Sequence, residues 1–194
     1  MNLIEELKNY CDINNPVGAL MLSGEWGCGK TYLIKTKFIP SVKDTYVFVC
    51  ISLFGIDSLD KLRVEVKKKW LEKASEFDSL NGTKVSRVAD SCRRIFDTIK
   101  DRLPENWQKK GEVVSSIMDL INFMPISNRM FEKKVILVFD DLERTNISCT
   151  DLLGCINDYC ENQGFNTIIV ANEEKIKDRS DNELSYREIK EKIV

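Results

Sequence analysis

Apolar residues recur along this chain with two different periods, and segments of the two kinds alternate. Helical spacing, with apolar positions three and four residues apart, begins at 2–10 and returns several times. Between these stretches lie short, mostly apolar runs, which are typical of strands buried in a parallel sheet. The predicted strands are 17–22, 46–53, 135–139 and 167–171, and the predicted helices are 2–10, 31–38, 58–77, 85–103, 113–123, 151–160 and 182–194.

Proline and glycine mark the expected ends of two helices. Pro40 should stop the helix over 31–38, and Gly164 should end the helix over 151–160 as a C-cap. Strands that alternate with helices predict an α/β protein of three layers, α/β/α, around a mainly parallel sheet. We expect one domain over 1–194, with a helical insert at 57–131.

A glycine-rich octapeptide follows the first predicted strand. Residues 24–31 read Gly-Glu-Trp-Gly-Cys-Gly-Lys-Thr and fit G-x-x-x-x-G-K-[ST], the loop that wraps nucleotide phosphates. Its glycines let backbone N–H groups approach the phosphates, Lys30 adds charge for the β and γ phosphates, and Thr31 offers a hydroxyl to Mg²⁺. A plain turn between strand and helix is the alternative. The candidate nucleotide-binding residues are Gly24, Glu25, Trp26, Gly27, Cys28, Gly29, Lys30, Thr31 and Tyr32.

Two variable positions of this loop are expected to have modest roles. We expect Trp26 to pack against the protein more readily than against a base-side surface. Cys28 lies near the expected positive end of a helix, which can activate a thiol. We interpret it as a tolerated small residue and not as a catalyst.

An acidic segment, Asp-Asp-Leu-Glu-Arg at 140–144, follows the third predicted strand. Ligands of open α/β sheets bind beyond the carboxyl ends of the strands, so this segment should share a rim with the phosphate loop. Asp140 is expected to serve Mg²⁺ opposite Thr31, and Asp141 to orient or deprotonate an attacking water. The alternative is a polar turn that starts the next helix. Arg144 is equally compatible with catalysis and with a salt bridge to Glu143, Asp140 or a neighbouring chain.

Asn172 ends the last predicted strand and should reach the same rim. Its amide could contact the attacking water or the γ-phosphate, or it could simply close a turn. With Lys30 and Asp141, it completes the set of candidate catalytic residues.

Composition excludes several other kinds of chemistry. The chain is 43% hydrophobic and 31% charged, has a net charge of −2 and contains no histidine. A general base must therefore be a carboxylate, lysine, cysteine or water, and Ser-His-Asp hydrolysis is ruled out within this chain. Seven cysteines without a C-x-x-C pair or a secretory signal favour reduced thiols in the cytoplasm. No apolar stretch predicts a membrane span, and nucleic-acid binding is neither indicated nor excluded.

Taken together, the motifs resemble the KAP family of P-loop NTPases, of the ASCE division that includes AAA+ and STAND proteins. The resemblance rests on 24–31, on Phe-Asp-Asp-Leu-Glu-Arg at 139–144, on Ile-Ile-Val-Ala-Asn at 168–172, and on 51–55. It implies an ASCE-type strand order, ATP and Mg²⁺ as ligands, and a place in bacterial signalling or anti-phage defence. It also implies that Gly24, Gly29, Lys30 and Thr31 bind the nucleotide, Asp140 serves the metal, Asp141 promotes hydrolysis and Asn172 is a polar sensor.

Two departures from the family pattern shape our expectations. Many KAP proteins insert membrane helices between the phosphate loop and the acidic strand, whereas the insert here is predicted to be soluble and helical. The family fold also has a fifth strand and a helical lid after the sensor strand, which we expect to be missing from this chain. We therefore expect the N-terminal part of an NTPase domain, whose protein partner or second copy binds through the missing C-terminal region.

Three functions remain open at the level of sequence. The leading hypothesis is an ATPase that converts nucleotide state into a conformational signal. A nucleotide-gated binding module with negligible hydrolysis is the second, and a small-molecule kinase that shares the same loop is the third. The Asp-Asp-x-Glu-Arg strand end and the lack of an arginine-rich lid segment argue against the kinase.

Overall fold

The computed structural model describes residues 2–81, 126–130, 132–179 and 190–191. Its strands are β1 (Leu20–Ser23), β2 (Tyr46–Ser52), β3 (Arg129–Met130), β4 (Lys133–Asp140) and β5 (Asn166–Ala171). The helices are α1 (Leu3–Asp12), α2 (30–42), α3 (Leu59–Asn81), α4 (Cys149–Glu161) and α5 (Glu173–Arg179), with a 3-10 turn at Leu142–Arg144. Helix α2 is composite, with α-helical ends at Lys30–Tyr32 and Ile39–Val42 and a π-helical middle at Leu33–Phe38.

Four strands form a parallel sheet in the order β1-β5-β4-β2, which confirms the predicted α/β fold. The two-residue strand β3 pairs antiparallel with the start of β4 and was not expected from the sequence. The register aligns the carboxyl ends of the four parallel strands. Ser23 pairs with Ala171, Asp140 with Val170, and Ser52 with Asp140. The segments that leave these strands therefore start from one rim.

Helices cover both faces of the sheet. On one face, α1 and α2 pack on strand residues that alternate along β2, β4 and β5, as the period of a strand requires; this core comprises Leu7, Tyr10, Cys11, Ile34, Phe38, Val42, Tyr46, Phe48, Ile136, Val138, Ile168 and Val170. On the other face, Tyr159 of α4 lies against Phe139, with ring centroids 6.2 Å apart. Three layers result.

The predicted stop at Pro40 is wrong, because α2 continues to Val42. In the π-helical segment the Ile39 N–H donates to the Ile34 carbonyl, five residues back. This wider turn precedes the proline, which lacks an N–H and would collide with the usual α-helical carbonyl. Gly164, with φ of 68°, closes α4 as predicted, its N–H donating to the Cys160 carbonyl at 3.1 Å.

Other boundaries differ more modestly. Strand β1 starts at Leu20, and Val17, predicted to be in it, is 78% exposed. Helix α5 was not predicted. The predicted helices 85–103 and 113–123 lie outside the described residues, as does 182–194 except for residues 190–191, which are helical.

The chain divides into two compact units. One combines Met1–Leu62 with Ser127–Val194, and the other is Arg63–Ile126. The first holds the whole parallel sheet. In the second, the described part of α3 carries ion pairs at helical spacing, including Lys68–Glu65 and Lys73–Glu76. No helix in the described ranges combines the length and apolarity needed to cross a bilayer.

Candidate nucleotide site

The phosphate loop leaves β1 at the common rim and returns directly into α2. The Gly24 N–H donates to the Ala171 carbonyl at 3.3 Å, which ties the start of the loop to the end of β5. Gly27 and Gly29 have φ values of 79° and 90°, a left-handed conformation that side chains disfavour. The Leu33 N–H donates to the Gly29 carbonyl at 2.8 Å and closes the first helical turn. The sequence therefore builds a tight loop that points the start of a helix at the rim.

Lys30 folds back over this loop. Its Nζ donates to the carbonyl oxygens of Gly24 at 2.6 Å and Glu25 at 2.8 Å, and it lies 3.8 Å from the Cys28 sulfur. These contacts hold the ammonium group over the glycine-rich segment. The Lys30 charge and the start of the helix are positive groups of the kind that an anion site uses.

Thr31 connects the phosphate loop to the end of β4. Its hydroxyl donates to Oδ1 of Asp140 at 3.0 Å, and the Asp141 N–H donates to the same oxygen at 3.1 Å. Asp140 is buried, and its other oxygen lies 3.5 Å from Nζ of Lys35. The bond between Thr31 and Asp140 bridges 109 positions of sequence. The two predicted metal residues are thus neighbours in space.

Asp141 adopts an unusual backbone conformation beside the loop. Its φ and ψ are 61° and 42°, in the left-handed region that Asp and Asn tolerate better than most residues. Its carboxylate pairs with Nε of Arg144 at 3.2 Å and accepts a long hydrogen bond from the Ser52 hydroxyl at 3.5 Å. The tight 3-10 turn that follows Asp141 brings Arg144 back to it. Arg144 therefore forms this salt bridge with Asp141, and not with Glu143 or Asp140 as the sequence suggested.

Aromatic rings flank Arg144. Its guanidinium carbon lies 5.3 Å from the Trp26 ring centroid and 5.8 Å from that of Phe54, within the range of cation–π attraction. Trp26 is 56% exposed and therefore does not pack into the core. Phe54, at 68% exposure, follows β2 and was not singled out in the sequence.

Glu143 is a further residue that sequence reasoning did not assign to the site. It is buried, with Oε1 accepting the Trp26 indole N–H at 2.6 Å and Oε2 accepting the backbone N–H of Asn172 at 3.0 Å. The only local signal was its place in a short turn after Asp140 and Asp141, because its partners are distant in sequence.

Asn172 lies at the end of β5, as predicted, and is buried. Its side-chain oxygen accepts the Lys175 N–H at 3.4 Å, a long bond that caps α5. Asn172 does not line the cavity beside the phosphate loop, and it connects to the site through its hydrogen bond to Glu143.

A cavity of about 220 Å³ lies between the phosphate loop and the acidic turn, residues 140–144. This is below the range of about 300–1,000 Å³ for pockets that enclose a drug-sized ligand, so it suits phosphate groups more than a whole nucleotide. Gly24, Glu25 and Cys28 are not among its lining residues. The cavity is lined by Trp26, Gly27, Gly29, Lys30, Thr31, Tyr32, Asp140, Asp141, Glu143, Arg144 and Val170.

A parallel α/β sheet, a glycine loop before a helix and an aspartate on a neighbouring strand end define a P-loop nucleotide-binding domain. Comparison with protein families agrees, since the model of the KAP family P-loop domain matches residues 2–194. The chain belongs to the KAP family. Membership implies nucleotide binding. No curated protein matches the chain significantly.

Proposed function

We propose that this domain binds Mg²⁺·ATP, hydrolyses it and converts the nucleotide state into a conformational signal. The observation that carries the proposal is the hydrogen bond from Thr31 to Asp140, at 3.0 Å. It brings the hydroxyl that ends the phosphate loop to the carboxylate that ends β4, beside a cavity lined by Lys30. Hydrolysis of a nucleoside triphosphate requires these groups together.

The phosphates would be held by the loop. Glycine backbone N–H groups and the first turn of α2 supply partial positive charge, and Lys30 supplies a full one. The Lys30 ammonium already donates to the Gly24 and Glu25 carbonyl oxygens. Phosphate oxygens carry more negative charge than these carbonyls and would compete with them for the same ammonium.

The donor set on the rim fits a magnesium ion. Thr31 and Asp140 present a hydroxyl and a carboxylate oxygen 3.0 Å apart, and such hard oxygen ligands are those that Mg²⁺ prefers. When bound, the ion would neutralise charge on the phosphate oxygens. Lys35, 3.5 Å from the second oxygen of Asp140, balances part of the carboxylate charge. Thr31 and Asp140 are thus the proposed metal residues.

Asp141 is the proposed group that orients the attacking water. It lines the cavity and follows Asp140 directly, so its carboxylate can act at the γ-phosphate end of a bound nucleotide. The Arg144 ion pair, at 3.2 Å, holds this carboxylate in one place. Water is deprotonated as it attacks phosphorus, and the bond to the leaving ADP oxygen breaks in line with the attack.

Asn172 is the proposed sensor of the γ-phosphate. It directly follows Ala171 at the rim of the sheet, and the Ala171 carbonyl accepts the N–H of Gly24 in the phosphate loop. Its long cap bond to Lys175, at 3.4 Å, is weak enough to be exchanged for a stronger partner. The family implies this sensor role, and the position of Asn172 at the rim supports it.

The wider setting follows from the family and is also a proposal. KAP proteins suggest bacterial signalling or anti-phage defence in the cytoplasm. The nucleotide signal would then reach a protein partner or a second copy of the chain.

Calorimetry of Mg²⁺-dependent ATP binding, with wild type beside Lys30→Ala, tests the proposal. Losing the phosphate contact should weaken binding by at least about tenfold, equal to about 1.4 kcal/mol. Lys37→Ala removes a positive charge from the exposed face of the same helix and serves as the matched control. Wild-type protein that binds no ATP would contradict the proposal.

Phosphate-release and transfer assays then separate the three candidate functions. Mg²⁺-dependent phosphate release supports the ATPase. Tight binding without release would select the nucleotide-gated module, and transfer of phosphate to an added nucleoside or sugar would select the kinase.

A further inference from the structure

Glu143 is a buried carboxylate whose two oxygens hold two different segments. The residue is only 7% exposed. Its Oε1 accepts the indole N–H of Trp26 in the phosphate loop at 2.6 Å, and its Oε2 accepts the backbone N–H of Asn172 at 3.0 Å. Glu143 itself belongs to the acidic turn. One side chain therefore ties together the phosphate loop, the end of β4 and the start of α5.

These two bonds depend on each other. Burying a carboxylate is costly unless hydrogen bonds replace its water, and N–H bonds to a charged acceptor are stronger than neutral ones. Trp26 and Asn172 therefore share one buried charge. A movement that draws Trp26 away leaves Glu143 less well held, which in turn changes its bond to Asn172.

Trp26, one partner of this link, lies at the surface and not in the core. The residue is 56% exposed, so the hydrogen bond does not anchor a buried side chain. Glu25 directly precedes Trp26, and its carbonyl oxygen accepts a hydrogen bond from Lys30 at 2.8 Å. Since bound phosphates would compete for Lys30, nucleotide binding would act on the backbone that carries Trp26.

The other end of the link sets the first turn of α5. The Asn172 carbonyl accepts the N–H of the buried Ile176 at 3.2 Å, and its side-chain oxygen accepts the N–H of Lys175 at 3.4 Å. The N–H held by Glu143 belongs to the same asparagine. Loosening Glu143 should therefore loosen the start of this helix.

We propose that Glu143 is a positioning residue that couples the conformation of the phosphate loop to the first turn of α5. The coupling rests on the proposed nucleotide function and gives a physical route from the site to the segment after β5.

Hydrogen exchange without nucleotide provides the first test. Trp26→Phe keeps an aromatic ring but removes the N–H donor. We expect amide exchange in 172–179 to become about threefold to tenfold faster, the loss of one hydrogen bond, while β4 is unchanged. Phe54→Leu, which alters the other ring beside Arg144, is the control and should leave α5 at its wild-type rate. Unchanged α5 exchange in Trp26→Phe would overturn the coupling, whether or not ATP binds.

Exchange with Mg²⁺·ATP provides the second test. In wild type, ATP should slow exchange both in 24–31 and in 172–179. In Trp26→Phe the slowing should persist in the loop and fall at least about threefold in α5. Glu143→Gln should change exchange in the same direction. The double variant Trp26→Phe/Glu143→Gln should differ little from either single variant, because both substitutions break the same connection between Trp26 and Asn172.

The two hypotheses fail in different ways. If ATP protects α5 equally in Trp26→Phe and wild type, the signal takes another route and the coupling is wrong. If wild type binds no ATP, the proposed function fails, and the comparison without nucleotide still decides whether Glu143 couples the two segments.

Discussion

At the scale of single residues, Asp141 combines an uncommon backbone conformation with a proposed chemical role. Its left-handed φ of 61° suits Asp or Asn, and its carboxylate is held by Arg144. Asp141→Asn therefore keeps the shape of the turn while removing the charge that would orient and deprotonate water. This substitution separates chemistry from folding better than a change to alanine would.

We expect Asp141→Asn to bind Mg²⁺·ATP within about threefold of wild type and to lose about 100-fold or more in turnover, as for removal of a general base. Calorimetry and steady-state phosphate release measure the two quantities. Asp44→Asn, which removes a carboxylate from an exposed loop, is the matched control. If Asp141→Asn turned over ATP at the wild-type rate, a group other than Asp141 would have to orient and deprotonate the attacking water.

At the scale of elements, the carboxyl end of α1 is held by side chains from the sheet. Asn166 at the start of β5 donates from Nδ2 to the carbonyls of Tyr10 at 2.8 Å and Ile13 at 3.1 Å. Lys134 at the start of β4 donates to the carbonyls of Cys11 and Ile13. Burial lowers the pKa of Lys134, with Asp12 acting in the opposite direction. These bonds satisfy carbonyls that a helix end leaves unpaired.

Asn166→Ala should destabilise the fold by about 1–3 kcal/mol, since it removes two hydrogen bonds made by a buried side chain. Urea unfolding followed by circular dichroism measures the change. Asn162→Ala is the control, since the exposed Asn162 follows α4 and its side chain donates a surface hydrogen bond to Asp158 within that helix; this change should cost less than Asn166→Ala. Equal losses in the two variants would show that the α1 contacts contribute little.

Much of the element pattern was predictable because it depends on local periodicity. The runs that became β2, β4 and β5 carry their burial in short stretches of sequence, and the glycine loop has a fixed spacing. Pro40 was misjudged because its effect depends on the π-helical turn before it. The β3 pairing and α5 have too few residues to produce a clear period.

The position of the site at the rim of the sheet could also be predicted, but the side-chain contacts within the site could not. Asp140 ends β4 and Asn172 directly follows β5, and the ends of such parallel strands meet by the geometry of the fold. The bond between Trp26 and Glu143 spans 117 positions, and no local pattern specifies it. The cation–π contact between Arg144 and Phe54 likewise depends on how two loops meet.

At the scale of the whole molecule, buried acidic groups make the native state sensitive to alkaline pH. Burial raises the pKa of Cys11 to about 12 and that of Cys160 to about 11, and a side-chain hydrogen bond with Thr167 offsets part of the rise for Cys160. Burial also raises the pKa of Tyr10. All three side chains are almost wholly removed from solvent.

The sign of the effect follows from which state keeps its protons. Above about pH 8.5 an unfolded chain releases thiol protons that the folded chain retains, so rising pH favours unfolding. The stability contributed by each protonated thiol is complete below that pH. It falls by about 1.4 kcal/mol per pH unit until the folded pKa is reached.

Cys160→Ala should therefore make the fall of unfolding free energy with pH shallower, by up to about 1.4 kcal/mol per pH unit between about pH 9 and 10.5. The variant starts from a lower stability, because it leaves a small cavity, so the slope and not the absolute value carries the test. Urea unfolding at a series of pH values measures it. Cys28→Ala changes an exposed thiol and should parallel wild type. Parallel slopes for Cys160→Ala and wild type would mean that the Cys160 thiol does not contribute to the alkaline loss, which would then come from other buried groups whose pKa is raised by burial, namely Cys11, Tyr10 and Tyr46.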